Sequence, residues 1–311
     1  MSRRSVQAAV GVLKQSGLDQ GFTMGSRCLL GRHPACDVLV DNPRVSAEHA
    51  SVRWVEGRWE LRDLGSRNGT FVQGRRLGPG ERASLAPGTI FSLGGEVDLV
   101  LADDTPPVAS ARHAKTGVIR FATDGMLVLP DEDRPEVSIF EDAIGRWVAE
   151  HGDETRVVRA NEVVVADGDG WIVDLPTTAG PTWEASAFAP TLESITLSFA
   201  VSRDEEHIEV TVLHSGKAEK LPPRSHHYLL LTLARARIDD PSSSPGERGW
   251  VDRDELCRML ATEPGMLNVD VFRARRQLAE MGVHGAAGIV ARRPGTGQLR
   301  LGTDRVVVGK L

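Results

Sequence analysis

The chain has 311 residues, of which 41% are hydrophobic and 26% charged, and its formal net charge is −6. This composition excludes wholesale disorder, and the length predicts two or three domains. The sequence shows no apolar run of membrane-spanning length and no long apolar leader, so we expect a cytoplasmic protein without a membrane partner. Its three cysteines, an odd and low number at no metal-like spacing, fit a reducing compartment.

The charge is distributed unevenly along the chain. Residues 1–102 carry +3, residues 103–190 carry −10, residues 191–220 carry −3 and residues 221–311 carry +4. Both ends are therefore mildly basic and are candidates for binding anionic partners, while the middle of the chain is acidic.

The N-terminal part has the pattern of a β-sandwich. Between Val6 and Leu101, short apolar runs recur about every ten residues and are separated by Gly, Pro, Asn and Asp. This pattern predicts an all-β sandwich over residues 1–102. Residues 103–117 are polar and contain Pro106-Pro107, which predicts a linker.

Residues 118–190 predict a β-rich, acidic middle segment in which Ser138–Glu150 is ambiguous. Ser138-Ile139-Phe140-Glu141 matches a capping box, which favours a helix. Gly145-Arg146-Trp147, however, repeats the tripeptide Gly57-Arg58-Trp59 and suggests a degenerate copy of the sandwich. We favour strands over a helix in this stretch.

Residues 191–311 predict an α+β domain. Ile195–Val201 and Ile208–Val212 alternate like two strands of a small antiparallel sheet. Three helices follow, for which we expect Ser225, Asp252 and Asn268 as N-caps. A hairpin with a turn at Pro294–Gly297 then closes the chain. Three helices followed by a hairpin are the layout of a winged helix.

Three separated motifs identify the N-terminal part as similar to the forkhead-associated (FHA) family. They are Gly31-Arg32, Arg44-Val45-Ser46-Ala47-Glu48-His49 and Asp63-Leu64-Gly65-Ser66-Arg67-Asn68-Gly69-Thr70, which resemble the FHA signature in order and spacing. The resemblance covers roughly residues 6–102. It implies a protein that binds a phosphothreonine-containing segment of another protein.

The residue types suit this ligand. A phosphothreonine carries nearly two negative charges and three acceptor oxygens, to which an arginine can donate two parallel bonds and a serine one. The resemblance implies that Arg32 and Ser46 contact the phosphate and that Asn68 holds the peptide backbone. It also implies that His49 supports the loops from behind without touching the ligand.

Further residues of these loops are expected to assist. Gly31 and Gly69 would permit backbone conformations that a Cβ disfavours. Arg44 and Arg67 would add positive charge. Ala47 departs from the family pattern, because many members have a polar or basic residue after the binding serine, and a ligand contact is expected to be missing there.

Residues 195–310 resemble the effector domain of response-regulator-type transcription factors. The segment 267–278 resembles the recognition helix of that family, and the segment 289–297 resembles its first wing strand and turn. At about 100° per residue, Arg275 falls at the edge of the apolar side of the helix. The polar side carries Asp270, Arg273, Arg276, Gln277 and Glu280. The resemblance implies contacts with duplex DNA from Arg273, Arg276, Gln277, Arg292 and Arg293.

Two function hypotheses follow. The first is a DNA-binding transcription regulator that acts downstream of a Ser/Thr kinase. The alternative is a phosphorylation-dependent adaptor whose winged helix binds protein, and it is favoured by Asp270, Glu280 and the small charge of the C-terminal part. In both, the phosphothreonine partner is a Ser/Thr kinase or its substrate. The chain has no catalytic motif and no metal-ligand spacing, so we expect no enzyme activity, cofactor or metal.

Overall fold

A computed structural model describes residues 10–17, 21–142, 144–176, 189–241, 243–244 and 246–311. It divides into two compact units. The first takes in the chain up to Arg112 and the stretch that begins at Ile172, and the second takes in His113–Trp171 and the C-terminal part ending at Leu311. Within the described part of the chain, no helix has the length and apolarity needed to cross a membrane.

The first eleven strands of the described chain lie in the first unit. They form a six-stranded sheet of order β2-β1-β11-β10-β7-β8 and a five-stranded sheet of order β4-β3-β5-β6-β9. Their bounds are β1 (Val12–Gln15), β2 (Gly21–Thr23), β3 (Arg27–Gly31), β4 (Val38–Leu39), β5 (Ala50–Val55), β6 (Arg58–Asp63), β7 (Thr70–Val72), β8 (Arg75–Arg76), β9 (Arg82–Leu85), β10 (Ile90–Leu93) and β11 (Val97–Asp103).

One core between these two sheets confirms the predicted sandwich. Along β11, Val97, Leu99 and Leu101 are buried while the residues between them are more exposed, because successive side chains of a strand point to opposite faces. Residues of the other sheet, including Leu30 and Trp59, join the same apolar cluster. The apolar residues that alternate with polar ones in the sequence are therefore the residues that point into this core.

The next eight strands show that residues 103–117 are more than a linker. They form sheets of order β13-β12-β19-β18 and β14-β15-β16-β17. Ala109, Ser110 and Ala111 are buried in or beside β12, which corrects the prediction for this stretch. The bounds are β12 (Ser110–His113), β13 (Ile119–Phe121), β14 (Met126–Pro130), β15 (Pro135–Glu141), β16 (Trp147–His151), β17 (Glu154–Val157), β18 (Val163–Ala166) and β19 (Asp169–Asp174).

Within the ambiguous stretch, residues 138–141 lie in β15 and residues 147–150 lie in β16, which are strands as we favoured. Ser138 and Glu141 belong to β15, so the apparent capping box caps no helix. The repeated Gly-Arg-Trp tripeptide marks the same local feature in both places, because Gly57 and Gly145 lie in hairpin turns with a positive φ.

The C-terminal elements follow in the predicted order. Strands β20 (Thr196–Val201), β21 (Ile208–His214) and β22 (Lys217–Lys220) are antiparallel, and the last strand, β26 (Val306–Lys310), adds to β20 in parallel. Between them lie α1 (His227–Ile238), β23 (Val251–Asp252), α2 (Arg253–Leu260), α3 (Pro264–Glu280), a 3-10 turn (Ala286–Ile289), β24 (Val290–Arg293) and β25 (Gln298–Leu301). The assignment of this part to the winged-helix class stays a prediction.

Two of the three expected helix caps are wrong. Asp252 caps α2, because its side chain accepts from the backbone N–H groups of Asp254 and Glu255. Neither Ser225 nor Asn268 is an N-cap. Helix α3 begins four residues before Asn268, with Pro264 in its first turn, where the missing N–H of proline costs nothing.

The middle segment and the C-terminal part form a single packed unit, whereas the sequence suggested separate segments 118–190 and 191–311. Phe272 of α3 is buried in a cluster formed by apolar side chains of β14, β15 and β16. These side chains are Met126, Val128, Phe140 and Val148. The acidic segment therefore covers one face of α3.

Candidate functional site

The three N-terminal motifs lie in loops that hydrogen-bond to one another. The backbone N–H of Arg32 donates to the Ser46 carbonyl over 3.0 Å, and Arg32 Nε donates to the Val45 carbonyl over 3.3 Å. Asn68 Nδ2 donates to the Arg44 carbonyl over 2.8 Å. The structure thus brings together Arg32, Ser46 and Asn68, although Arg32 and Asn68 are 36 residues apart in the sequence.

The Ser46 hydroxyl is hydrogen-bonded to the backbone of the third motif. Its oxygen accepts the backbone N–H of Arg67 over 3.1 Å. A hydroxyl that accepts one bond still has its own proton to donate. The neighbouring Arg32 side chain is exposed, so its guanidinium and the Ser46 hydroxyl can serve one multi-oxygen anion together.

His49 is hydrogen-bonded to the loop that carries Ser46, here called the serine loop, and to the loop that carries Asn68 and Gly69, here called the asparagine loop. The Ser46 N–H donates to His49 Nδ1 over 3.0 Å, which leaves Nε2 as the protonated nitrogen that donates to the Gly69 carbonyl over 3.1 Å. The ring is fully buried, and this burial lowers its pKa below the ordinary 6.5, although the bond to Gly69 acts in the opposite direction. A neutral ring thereby joins the serine loop to the asparagine loop.

Acidification is expected to weaken this arrangement. Since the pKa of His49 is lower in the folded than in the unfolded chain, the unfolded state takes up the proton first. The stabilising contribution is complete above the unfolded pKa near 6.5 and is lost as pH falls towards the folded value. We expect His49→Gln to reduce stability most above pH 7, with a smaller difference from the unmutated chain near pH 5. Urea unfolding of both proteins between pH 5 and 8 measures this, and a difference independent of pH would contradict it.

Asp63 organises the asparagine loop and was not singled out from the sequence. Its carboxylate accepts from the backbone of Gly65 and Ser66 and from the hydroxyls of Ser66 and Thr70, at 2.6 to 2.9 Å. Burial alone would raise the pKa of Asp63, but these hydrogen bonds lower it overall. Ser66 Oγ in turn accepts the Gly69 N–H over 3.0 Å. The signal was present in the sequence, because an Asp two residues before a Gly is typical of a turn in which the Asp side chain bonds the backbone.

The two expected glycines are required for different reasons. Gly69 has a φ of +84°, and a Cβ there would also meet the Arg76 guanidinium. Gly31 shows no such φ. A Cβ on Gly31 would lie 2.1 Å from the Ala47 carbonyl oxygen, so this glycine permits a close approach of the two loops.

The remaining predicted residues of the loops differ in their hydrogen bonds and ion pairs. Arg67 is exposed. Arg44 Nε donates to the Gly94 carbonyl over 3.2 Å and lies 3.4 Å from a Glu96 carboxylate oxygen, so part of its charge is used within the domain. The Ala47 side chain is exposed and offers no hydrogen-bonding group.

Two of the predicted DNA-contact arginines, Arg276 and Arg292, form ion pairs with carboxylates of the acidic middle segment. Arg276 forms ion pairs with Glu132, with Glu280 at 3.0 Å and with Asp124 at 3.9 Å. Glu132 and Asp124 belong to the acidic middle segment.

Arg292 is the more deeply buried of the two, with a side chain only 8% exposed. Its guanidinium donates to the Gly152 carbonyl over 2.8 Å and to Asn268 Oδ1 over 2.7 Å, and it lies 3.4 Å from Glu150. Burial lowers the pKa of this guanidinium, although Glu150 raises it. The expected place of Arg292 on an open wing is therefore corrected.

Gln277 was expected on the exposed polar side of α3, and the structure corrects this placement. Its Nε2 donates to the Pro222 carbonyl over 2.8 Å, so its Oε1 is the acceptor for Nε2–H of His226 and His227, at 2.7 and 2.9 Å. All three side chains are buried, and burial lowers the pKa of His226 to about 4. Both imidazole rings are therefore uncharged at neutral pH, and they pack against α3.

Arg273 and Arg293 are the more accessible members of the predicted DNA set. Arg273 is exposed, and it has no hydrogen bond or ion pair with any residue that the structure describes. Arg293 forms an ion pair with Glu247 at 2.9 Å and lies over the ring of Trp250.

Glu150 is the central residue of this unit that the sequence did not indicate. Its carboxylate lies 2.8 Å from Arg275, whose side chain is 2% exposed, and it also faces Arg292. Arg275 further donates to the Val290 carbonyl over 2.7 Å and lies against the Phe140 ring. Arg275 is thus a structural residue, as its position at the edge of the apolar side predicted.

No cluster of three or more His, Cys, Asp and Glu side chains suited to a metal ion occurs in the described ranges. The three cysteines are buried and unpaired.

Comparison with known proteins identifies the N-terminal domain. Residues 28–94 match the FHA domain family, which confirms the prediction that the chain carries an FHA domain, a phosphothreonine-binding signalling module. The glycogen accumulation regulator GarA of Mycolicibacterium smegmatis is 38% identical over 82 residues, which are 24% of this chain and 50% of GarA. The oxoglutarate dehydrogenase inhibitor of Corynebacterium glutamicum is 43% identical over 60 residues, 17% of this chain and 42% of that protein.

Similarity to solved structures concerns the same part of the chain. EmbR of Mycobacterium tuberculosis, solved in complex with a low affinity phosphopeptide, aligns at 23% identity and a TM-score of 0.29, over 31% of this chain and 25% of that chain. The FhaA FHA domain, solved in complex with the intracellular domain of Rv3910, aligns at 24% identity and a TM-score of 0.27, over 29% and 97%. The chain spans half or less of the length of the curated relatives described above.

Proposed function

We propose that this protein is a phosphorylation-dependent adaptor that binds a phosphothreonine segment through Arg32, Ser46 and Asn68. The observation that carries the proposal is the Ser46 hydroxyl. It is held by the Arg67 N–H, and the Ser46 backbone is held by His49, beside an exposed Arg32. A phosphate placed there receives a bidentate guanidinium and a hydroxyl donor without rearrangement of the loops.

The partner is a Ser/Thr kinase or a substrate of one, since the ligand is a product of such a kinase. The role is binding rather than catalysis. Three buried free cysteines fit a reducing cytoplasmic location.

Calorimetry of the full chain against a phosphothreonine peptide library tests the proposal. We expect binding to a subset of phosphopeptides and none to the same peptides without phosphate. Equal affinity for both forms would contradict it.

The adaptor hypothesis is supported over DNA binding because most of the predicted DNA-contact side chains are already paired or buried. Arg276 and Arg292 already have carboxylate partners, and Gln277 is buried. Exposing this face would separate Phe272 from its apolar cluster and would break buried ion pairs, which is costly. The second unit then presents other surfaces to a protein partner.

DNA binding is the second candidate, and exposed Arg273 on α3 is the observation that favours it. We expect the full chain to show no duplex binding even at low salt, and Arg273→Ala to change nothing. A mobility-shift assay with genomic fragments over a range of salt measures this. Binding that weakens steeply with salt, with a slope of about −0.9 per phosphate contact, would instead support a transcription regulator.

A further inference from the structure

The outer face of the five-stranded FHA sheet carries a cluster of arginines, here called the arginine face. Register places Arg27 directly opposite Arg53 on β3 and β5, and Arg62 directly opposite Arg82 on β6 and β9. These four side chains and that of Arg58 are exposed, on strands about 4.8 Å apart. The members of the arginine face are Arg27, Arg53, Arg58, Arg62 and Arg82.

Acidic residues neutralise this face only in part. Glu60 lies opposite Arg53 in the register, but its carboxylate forms ion pairs with Arg58 at 3.1 Å and Arg82 at 3.5 Å. Glu56 lies 3.9 Å from Arg58 as well.

Three arginines of the face remain without such a partner. Arg27, Arg53 and Arg62 form no ion pair with any carboxylate in the described part of the chain. The face therefore has an excess of positive charge at these three positions.

Like charges placed directly opposite each other on neighbouring strands destabilise a sheet, and this face has two such pairs. The pKa of Arg53 is lowered, mainly by burial and to a smaller extent by repulsion from Arg27, Arg62 and Arg82. An anionic ligand lying across the face would relieve that repulsion.

The face is continuous with the phosphothreonine site. Arg62 immediately precedes Asp63, whose carboxylate holds the asparagine loop. Ser51, opposite Arg62 on β5, is two residues after His49. The Arg62–Arg82 pair is thus nearest the serine and asparagine loops. The Arg27–Arg53 pair lies two residues, about 7 Å, further along the strands.

We propose that the arginine face binds an acidic flank of the phosphothreonine segment, so that the partner is recognised by its phosphate and by carboxylates several residues away. This inference rests on the proposed function. All five cations are arginines, which suits carboxylates because the guanidinium fork can donate to both carboxylate oxygens. Because the arginine face is continuous with the serine and asparagine loops, a peptide is favoured over a nucleic acid or a membrane surface.

The test uses the full chain and two phosphothreonine peptides that differ only in a flank of six residues, acidic in one and Ser/Gln in the other. We expect the acidic flank to improve affinity about tenfold at low salt, as three or four exposed ion pairs allow. The double variant Arg27→Gln, Arg53→Gln should lose most of that gain and bind the neutral-flank peptide unchanged. The double variant Lys14→Gln, Arg75→Gln removes two charges from β1 and β8 of the other sheet, so it is the matched control and should behave like the unmutated chain.

The outcomes separate the inference from the function on which it rests. An acidic flank that brings no gain, or a gain that survives in the double variant, overturns the inference, while binding of the neutral-flank phosphopeptide still supports the proposed function. Equal binding of peptides without phosphate overturns both. If a duplex oligonucleotide binds as tightly as the acidic peptide and the double variant abolishes this, the face is a general polyanion surface and the inference is wrong.

Discussion

Replacing Arg32 by alanine is expected to weaken phosphothreonine binding more than tenfold and to leave the fold intact. A charge-assisted hydrogen-bonded contact contributes about 1.5–3 kcal/mol, and each 1.4 kcal/mol is about a factor of ten in affinity. The Arg32 side chain is exposed, and its backbone N–H, which bonds to the Ser46 carbonyl, remains in the variant. The sandwich therefore loses little when the guanidinium is removed.

Calorimetry with one phosphopeptide measures this change, and Lys14→Ala is a suitable control. Lys14 is an exposed cation of β1 in the same unit, so its loss changes the net charge equally without touching the three loops. The proposed site is contradicted if both variants weaken binding alike, because attraction would then depend on overall charge alone. Thermal unfolding of each variant shows whether the fold is retained.

Replacing Glu150 by glutamine is expected to destabilise the second unit by about 3–5 kcal/mol, since the loss of one partner leaves the other charges of a buried ion pair uncompensated. Glu150 faces Arg275 at 2.8 Å and Arg292 at 3.4 Å, and both guanidiniums are buried. Their remaining bonds to the Val290 and Gly152 carbonyls do not neutralise the charge.

Hydrogen exchange of peptides from α3 in increasing urea follows this unit separately from the FHA domain. Glu154→Gln is the matched control, because Glu154 is exposed on the adjacent strand β17. Equal protection of α3 in both variants would mean that the acidic segment does not hold the helix. A Glu150→Gln chain that gains duplex binding would favour the DNA-binding candidate, since it would show a latent basic surface under the segment.

The three FHA motifs could be located from the sequence because each is a short run of residues close in the chain. Ser46 and His49 are three residues apart in one loop, and Asn68-Gly69 is a turn whose glycine has a positive φ. What the motifs did not contain was the reason for Gly31. That reason is a carbonyl on another loop, which becomes a neighbour only after folding.

The helix predictions show the same division. Asp252 could be identified as a cap because capping is a contact over two or three residues. For α3, the predicted cap Asn268 was wrong, although Pro264 in the first turn is itself a local signal. The helical periodicity placed Gln277 with the polar residues, but burial of a helix face depends on what packs there. Here Pro222 and the first residues of α1, His226 and His227, contact Gln277.

By itself the sequence determined the β-sandwich and the order of the C-terminal elements, because alternation and turn chemistry act between residues close in the chain. The tertiary structure alone decided that the acidic middle segment packs on α3, with Glu150 between Arg275 and Arg292. These partners are more than a hundred residues apart, and the same charges would suit an exposed, solvated face. Only the packing of Phe272 against β14, β15 and β16 removes water from them and makes the arginines part of the core rather than of a surface.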